Sequence, residues 1–234
     1  MRDSGVGEGD LVLDIGAGTG TLTAELARTA GRVLALEIDE TLVTELRRRF
    51  SGRPNVDVVA CDFLRRPLPD APFRVVANIP FGRTTAIMRR LLDDPSLRLE
   101  RADLIVELAV ARKRACPVPS TALGAYWGAW WEFDLVRRLD ASAFAPPPRT
   151  DAAVLRVVRR PMALVRPDQA SAYRAFVTAG FAGQGPLRRS LAGTIPPLAF
   201  KRLARELGFS PGAPAWGLDQ HQWAGLHRFV RSPR

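Results

Sequence analysis

The sequence predicts an α/β fold: an open parallel sheet with helices on both faces, followed by a small all-helical domain. Three observations predict it. Up to about residue 110, short apolar runs alternate with helical patterns. A glycine-rich turn, Gly16-Ala17-Gly18-Thr19-Gly20, separates the first run from the first helix. Beyond Pro161 the pattern is helical throughout.

Leu11 to Ile15 is too apolar to alternate, as expected of a strand buried on both faces. Thr21 to Thr29 places Leu22, Leu26 and Ala30 at helical spacing. Val33–Glu37, Val56–Ala60, Phe73–Asn78 and Ala102–Leu108 are the next four predicted strands. Helices are predicted over Thr41–Phe50, with Leu42, Leu46 and Phe50 on one stripe, and over Thr84–Leu92. The pattern pauses at Cys116-Pro117-Val118-Pro119, after which Ser120 or Thr121 caps an apolar helix running to about Trp130. Trp131–Leu139 and Ala152–Arg159 follow as strands. The loop between them, Ala145 to Thr150, is long enough for antiparallel pairing. Pro161 to Pro167 marks the boundary between domains 1–160 and 161–234, and the second domain carries helices near 168–182, 187–192, 197–207 and 219–230.

Charge and cysteine usage narrow the function. The net charge is +10 in a 234-residue chain, and a strongly basic folded protein suits a polyanionic partner. Residues 161–234 carry ten basic and three acidic side chains, so the small domain is the more basic one. Two cysteines, Cys61 and Cys116, with no CxxC pair, argue against a disulfide framework or a zinc site and for a reducing, cytoplasmic setting. No metal is expected. The N-terminus has no signal-peptide pattern, and the most apolar window, Ala122 to Trp131, has about half the length that spans a bilayer, so no membrane partner is expected.

The glycine turn sits where an open parallel sheet binds ligands, beyond the carboxyl ends of its strands. It reads GxGxG; Thr21 occupies the third glycine position of a dinucleotide fingerprint, and no P-loop lysine follows. Such a turn suits a ligand without a pyrophosphate. Glu37 ends the second strand, 23 residues after Asp14, where a carboxylate can accept both hydroxyls of a ribose. Asp62, after the third strand, can accept from an adenine amino group. Glycine turn and acids at three successive strand ends resemble the class I methyltransferases, with a Rossmann-like sheet, and the resemblance implies S-adenosyl-L-methionine as cofactor.

Asn78-Ile79-Pro80-Phe81 follows the fourth strand. An adenine amine is a poor nucleophile because its lone pair is delocalised into the ring. Two acceptors aimed at it favour the tetrahedral geometry needed as charge develops. The Asn78 side-chain oxygen and the Ile79 carbonyl can be those acceptors. Pro80 fixes the turn, and Phe81 can stack on a flipped base. His221 and His227, both in the last helix, suit surface or packing roles better than general-base chemistry, and neither cysteine has a neighbouring histidine.

Asp14 to Gly20, Leu36-Glu37-Ile38-Asp39, Cys61-Asp62-Phe63-Leu64 and Asn78-Ile79-Pro80-Phe81 together closely resemble the Erm family, adenine-N6 methyltransferases of 23S ribosomal RNA that confer macrolide, lincosamide and streptogramin B resistance. The likeness extends through Val110–Arg114, Phe144–Leu155, Tyr173–Leu191, Gln222-Trp223 and Leu226. It implies cofactor contacts from Asp14, Gly16, Gly18, Glu37, Ile38, Asp62, Phe63 and Asn78, with the target adenine held by Asn78 to Phe81. It further implies a monomer acting on 23S RNA that is protein-free or in a partly assembled large subunit. Arg112, Arg114, Arg137, Arg138, Arg188 and Arg189 are candidate RNA contacts. The family carries a Gln-His/Asn-Phe segment before the first strand, whereas nine residues precede Asp10 here, so weak transfer by this chain is expected. Glu107-Leu108-Ala109 also departs from the family's Gln-x-Glu. A catalytically inactive RNA-binding relative and a small-subunit adenine dimethyltransferase remain as alternatives.

Overall fold

The computed structural model describes residues 4–144 and 150–231. The loop expected at 145–149 lies outside the described residues, as do residues 1–3. The elements run β1 (Leu11–Ile15), α1 (Thr21–Leu26), β2 (Arg32–Glu37), α2 (Glu40–Arg49), β3 (Val56–Ala60), β4 (Phe73–Asn78), α3 (Thr84–Leu92) and β5 (Leu99–Glu107), then α4 (Leu108–Arg114), α5 (Ala122–Trp127), β6 (Trp131–Leu139) and β7 (Ala152–Arg159), and last α6 (Ala170–Phe181), α7 (Leu187–Ser190), α8 (Pro197–Glu206) and α9 (Gln220–Arg231).

The seven strands form one sheet in the order β3-β2-β1-β4-β5-β7-β6. β3, β2, β1, β4 and β5 are parallel, and β7 runs antiparallel to β5. β1 lies between β2 and β4, so the chain leaves β1 toward one side of the sheet and later returns to its other side at β4. That reversal opens a crevice at the carboxyl ends of β1 and β4. It brings the Gly16 turn and Asn78 to neighbouring strand ends, although they lie about sixty residues apart in sequence.

Local chemistry sets the element ends. The Asp39 carboxylate accepts from the Thr41 and Leu42 N–H groups at 2.8 and 3.2 Å, which starts α2 at Glu40. Thr121 caps α5 by accepting from Gly124 N–H at 3.2 Å. α1 is shorter than its apolar spacing predicts and ends at Leu26. Its N-cap, Gly20, has φ +79°, and a Cβ there would lie 2.7 Å from the side chains of both Leu46 on α2 and Phe50 at the C-cap of that helix. A side chain at this position would meet both backbone strain and a steric clash.

Two compact units result: Met1–Arg112 with Asp134–Arg159, and Lys113–Phe133 with Arg160–Arg234. The boundary drawn from the sequence at 160/161 misses that Lys113–Phe133 belongs with the helices. The reason is aromatic packing. All five tryptophans fall in the second unit. Within it Tyr126 and Trp130 of the α5 segment pack on Tyr173 of α6, at ring separations of 6.3 and 5.8 Å. The Tyr173 hydroxyl donates to the Ala125 carbonyl at 3.3 Å. Arg160 Nε and Leu164 N–H donate to the carbonyls of Gly128 and Ala129, both at 2.9 Å. α4 was not legible as a helix; β5 ends at Glu107, and Leu108 and Ala111 of the following turn are buried.

Candidate active site

The glycine turn is braced from within. Gly16, Gly18 and Gly20 all have positive φ, at +71, +56 and +79°. The Gly16 and Ala17 N–H groups donate to the Leu36 carbonyl at 2.9 and 3.0 Å, tying the turn to β2. Glu37 is 7% exposed. Its Oε2 accepts from Gly18 N–H at 2.8 Å, and its Oε1 accepts from the N–H groups of Ile38 and Asp39 at 2.7 and 3.0 Å. Three of roughly four acceptor positions are thus filled by backbone. The carboxylate that the sequence suggests for bidentate recognition of a ribose also holds the turn in shape, with one acceptor position left on Oε2.

Asp14 is 1% exposed. Its Oδ2 accepts from the Thr23 hydroxyl at 2.6 Å, so the side chain faces α1. Burial, and secondarily the nearby Glu37 charge, push its pKa up to about 7 against the pull of the Thr23 hydrogen bond.

A cavity of about 350 Å³ lies at these strand ends, within the range of small-ligand sites. Gly16, Glu37, Ile38, Asp62, Phe63 and Pro80 form much of its wall. Asp14, Gly18, Asn78, Ile79 and Phe81 do not line it. Ile38 is 67% exposed and offers an apolar face at the rim. Asp62 Oδ1 accepts from Leu64 N–H at 2.9 Å, and its Oδ2 lies 3.7 Å from Arg65, which leaves acceptor capacity. Burial pushes up the pKa of the Cys61 thiol, also in this wall, so it is not an activated thiolate.

Asn78 is exposed at the end of β4, while Ile79 beside it is 1% exposed and anchors the loop. Pro80 (φ −58°, ψ 122°) turns the chain, and its carbonyl accepts from Arg83 N–H at 2.8 Å. A Cβ on Gly16 would sit 3.6 Å from Pro80 Cδ, so the glycine turn and the Asn78 loop share a wall. Arg83 and Ile87 also line the cavity and were missed from the sequence. Their signal was their offset: each follows Pro80 by about one or two helical turns.

The candidate RNA arginines divide. Arg112, Arg188 and Arg189 are exposed. Arg138 is exposed and lies 3.7 Å from Asp151, and Arg137 lines a cavity of about 190 Å³ with Asp103 and Arg156. Arg114 stacks 4.8 Å from the Trp127 ring centroid and lies within 3.4 Å of the Thr121 hydroxyl, which gives it a packing role in its own unit. Among the described residues, no helix is long and apolar enough to cross a membrane, and no group of three or more His, Cys, Asp or Glu side chains could hold a metal.

A glycine turn, an acid at each of the next two strand ends and an Asn-Ile-Pro-Phe loop, gathered at one switch point, define a methyltransferase of the Rossmann-like class. The ribosomal RNA adenine dimethylase family matches residues 2–223, and the chain belongs to that family. It is 38% identical over 214 residues to an rRNA methyltransferase of Streptomyces thermotolerans, covering 86% of this chain and 68% of that one. It is 35% identical over 225 residues to ribosomal RNA small subunit methyltransferase A of Synechococcus sp. (strain JA-3-3Ab), covering 92% and 79%. Its fold matches the crystal structure of 23S rRNA methyltransferase ErmE with a TM-score of 0.88 at 31% identity, over 99% of this chain and 95% of that one. The chain is thus an rRNA adenine methyltransferase, and its fold and family imply S-adenosylmethionine as methyl donor.

Proposed function

We propose that this chain methylates N6 of a specific adenine in 23S ribosomal RNA and thereby confers resistance to macrolide-type antibiotics. The observation that carries this reading is the similarity to the 23S rRNA methyltransferase ErmE over nearly the whole of both chains. The Asn-Ile-Pro-aromatic form of the loop at Asn78 supports it.

The cavity fits the cofactor by its donor set. Positive-φ glycines allow close backbone approach, Glu37 Oε2 keeps one acceptor position for a ribose hydroxyl, Asp62 can accept from an adenine amine, and Ile38 and Phe63 offer apolar faces to the ring. Bound there, S-adenosylmethionine supplies a methyl group on a sulfonium, so the site needs no strong base. The chain's own task is to position the acceptor. The Asn78 side-chain oxygen and the Ile79 carbonyl accept from the two amine hydrogens and draw the nitrogen toward tetrahedral geometry. Phe81 offers a face for the flipped base. The exposed arginines of α7 engage backbone phosphates.

The test is transfer from labelled S-adenosylmethionine to protein-free 23S and 16S RNA, with the modified base located by reverse-transcription stops. Stops confined to one 23S adenine are expected. Stops confined to 16S RNA would move the assignment to the small subunit, the reading favoured by the Synechococcus relative. A second expected result concerns Arg188→Gln with Arg189→Gln. Each phosphate left without its arginine flattens the slope of log affinity against log salt by about 0.7–0.9, so the pair should flatten it by roughly 1.5. An unchanged slope removes both residues from the interface.

A further inference from the structure

The second unit holds a cavity of about 310 Å³ that the transfer chemistry does not use. Ala224, His227, Arg228 and Arg231, one face of α9, form one side. Arg166 and Gln169, from the turn leading into α6, belong to the other, and among the described residues no carboxylate lines it.

His227 is the informative member. It is 2% exposed, and its Nε2 has no hydrogen-bond partner among the described residues. Its ring packs edge-on to Tyr173 at 5.1 Å and tilted to Phe176 at 5.6 Å. Packing alone would be served as well by an apolar side chain, without the cost of leaving a buried polar atom unsatisfied. Burial and then Arg231 hold the imidazole below its ordinary pKa. Arg228 on α9 also lines the cavity, and Tyr173 on α6, whose ring packs on the imidazole, is kept protonated by burial. Asp168, the nearby acid, is taken up by Arg166 at 2.8 and 3.1 Å. Among the described residues the cavity wall therefore carries positive charge and hydrogen-bond donors and no carboxylate.

We propose that this cavity binds a phosphate group, with Arg228, Arg231 and Gln169 as outer donors and His227 as the buried one. Guanidinium forks match phosphate oxygens, and a buried imidazole adds a donor that water reaches poorly. The phosphate belongs either to the RNA backbone or to a free phosphate compound. The RNA source rests on the rRNA-substrate reading; the site itself does not.

The chain has two histidines, so imidazole NMR resolves the site directly. The protein is titrated with inorganic phosphate and, separately, with an oligouridylate of about ten nucleotides, which contains no adenine to methylate. With ligand, the His227 resonance should move and its pKa should rise by about one unit, while His221 stays in place. Arg228→Gln with Arg231→Gln should weaken that response by about tenfold or more, whereas Asn78→Ala should not. The His221 and tryptophan indole resonances report whether the variant is folded. A response to oligouridylate at far lower concentration than to phosphate identifies the RNA backbone as the ligand. An equal or stronger response to phosphate identifies a free compound. No movement of His227 with either probe, or a response of equal affinity in the double-arginine variant, overturns the proposal. Methyl transfer plays no part in the readout, so its absence would count against the functional reading alone.

Discussion

Replacing Asn78 with alanine should lower methyl transfer by about 10²–10³-fold and leave RNA affinity within about twofold. The size of the first effect follows from the chemistry. An exocyclic amine must give up conjugation with its ring before it can attack, and acceptors that strengthen as charge develops act on the transition state alone. The small second effect follows from the fold. Asn78 ends β4 with its side chain exposed, while the loop is anchored by Ile79, which is 1% exposed, and shaped by Pro80. Removing the amide leaves that anchor in place and opens no core cavity. The measurement is single-turnover transfer to 23S RNA, with RNA binding followed in parallel by filter retention. Turnover near that of the parent chain would remove Asn78 from the chemistry. Equal losses in transfer and in RNA binding would mean that the amide serves binding instead.

The parallel sheet was legible because its strands are short apolar runs bounded by turns, and a parallel pattern carries little ambiguity of register. The glycine turn and the strand-end acids were legible for a related reason: a parallel sheet places successive carboxyl ends on one side. What was not legible depended on contacts distant in sequence. Lys113–Phe133 sits among sheet residues in the chain, yet its aromatic side chains find their partners on α6. Arg114 looks like any basic side chain until Trp127 is placed under it. Glu37 reads as a ligand acid, and its bond to Gly18, nineteen residues back, is invisible without coordinates. Arg83 needed the short turn after Pro80 to bring it to the cavity wall. Composition gave the sign of the net charge, but not that His227 and three arginines surround one cavity.

Asp14→Asn should remove most of a pH dependence of stability that the parent chain carries between about pH 4 and pH 7. Asp14 is 1% exposed and its pKa is raised to about 7, chiefly by burial, whereas in the unfolded chain it titrates near 3.9. A carboxyl raised in this way contributes stability that is fully present below the unfolded pKa. As pH rises, the unfolded state ionises first, and stability falls until the folded group also ionises near pH 7. Three units at 1.36 kcal/mol each give a loss on the order of 4 kcal/mol across that window. For a unit of this size that corresponds to roughly 10 °C in Tm. Asparagine keeps an oxygen for the Thr23 hydroxyl, which now bonds Asp14 at 2.6 Å, and it does not ionise. At about pH 8 the variant should therefore melt higher than the parent, and near pH 4 the two should converge. Calorimetry or far-ultraviolet circular dichroism follows the sheet itself. The same fall in Tm with pH in both chains would mean that Asp14 is already ionised in the folded state, with the Thr23 hydrogen bond outweighing burial. In that case Asp14 would place a buried negative charge at the end of β1, behind the cofactor turn, at neutral pH.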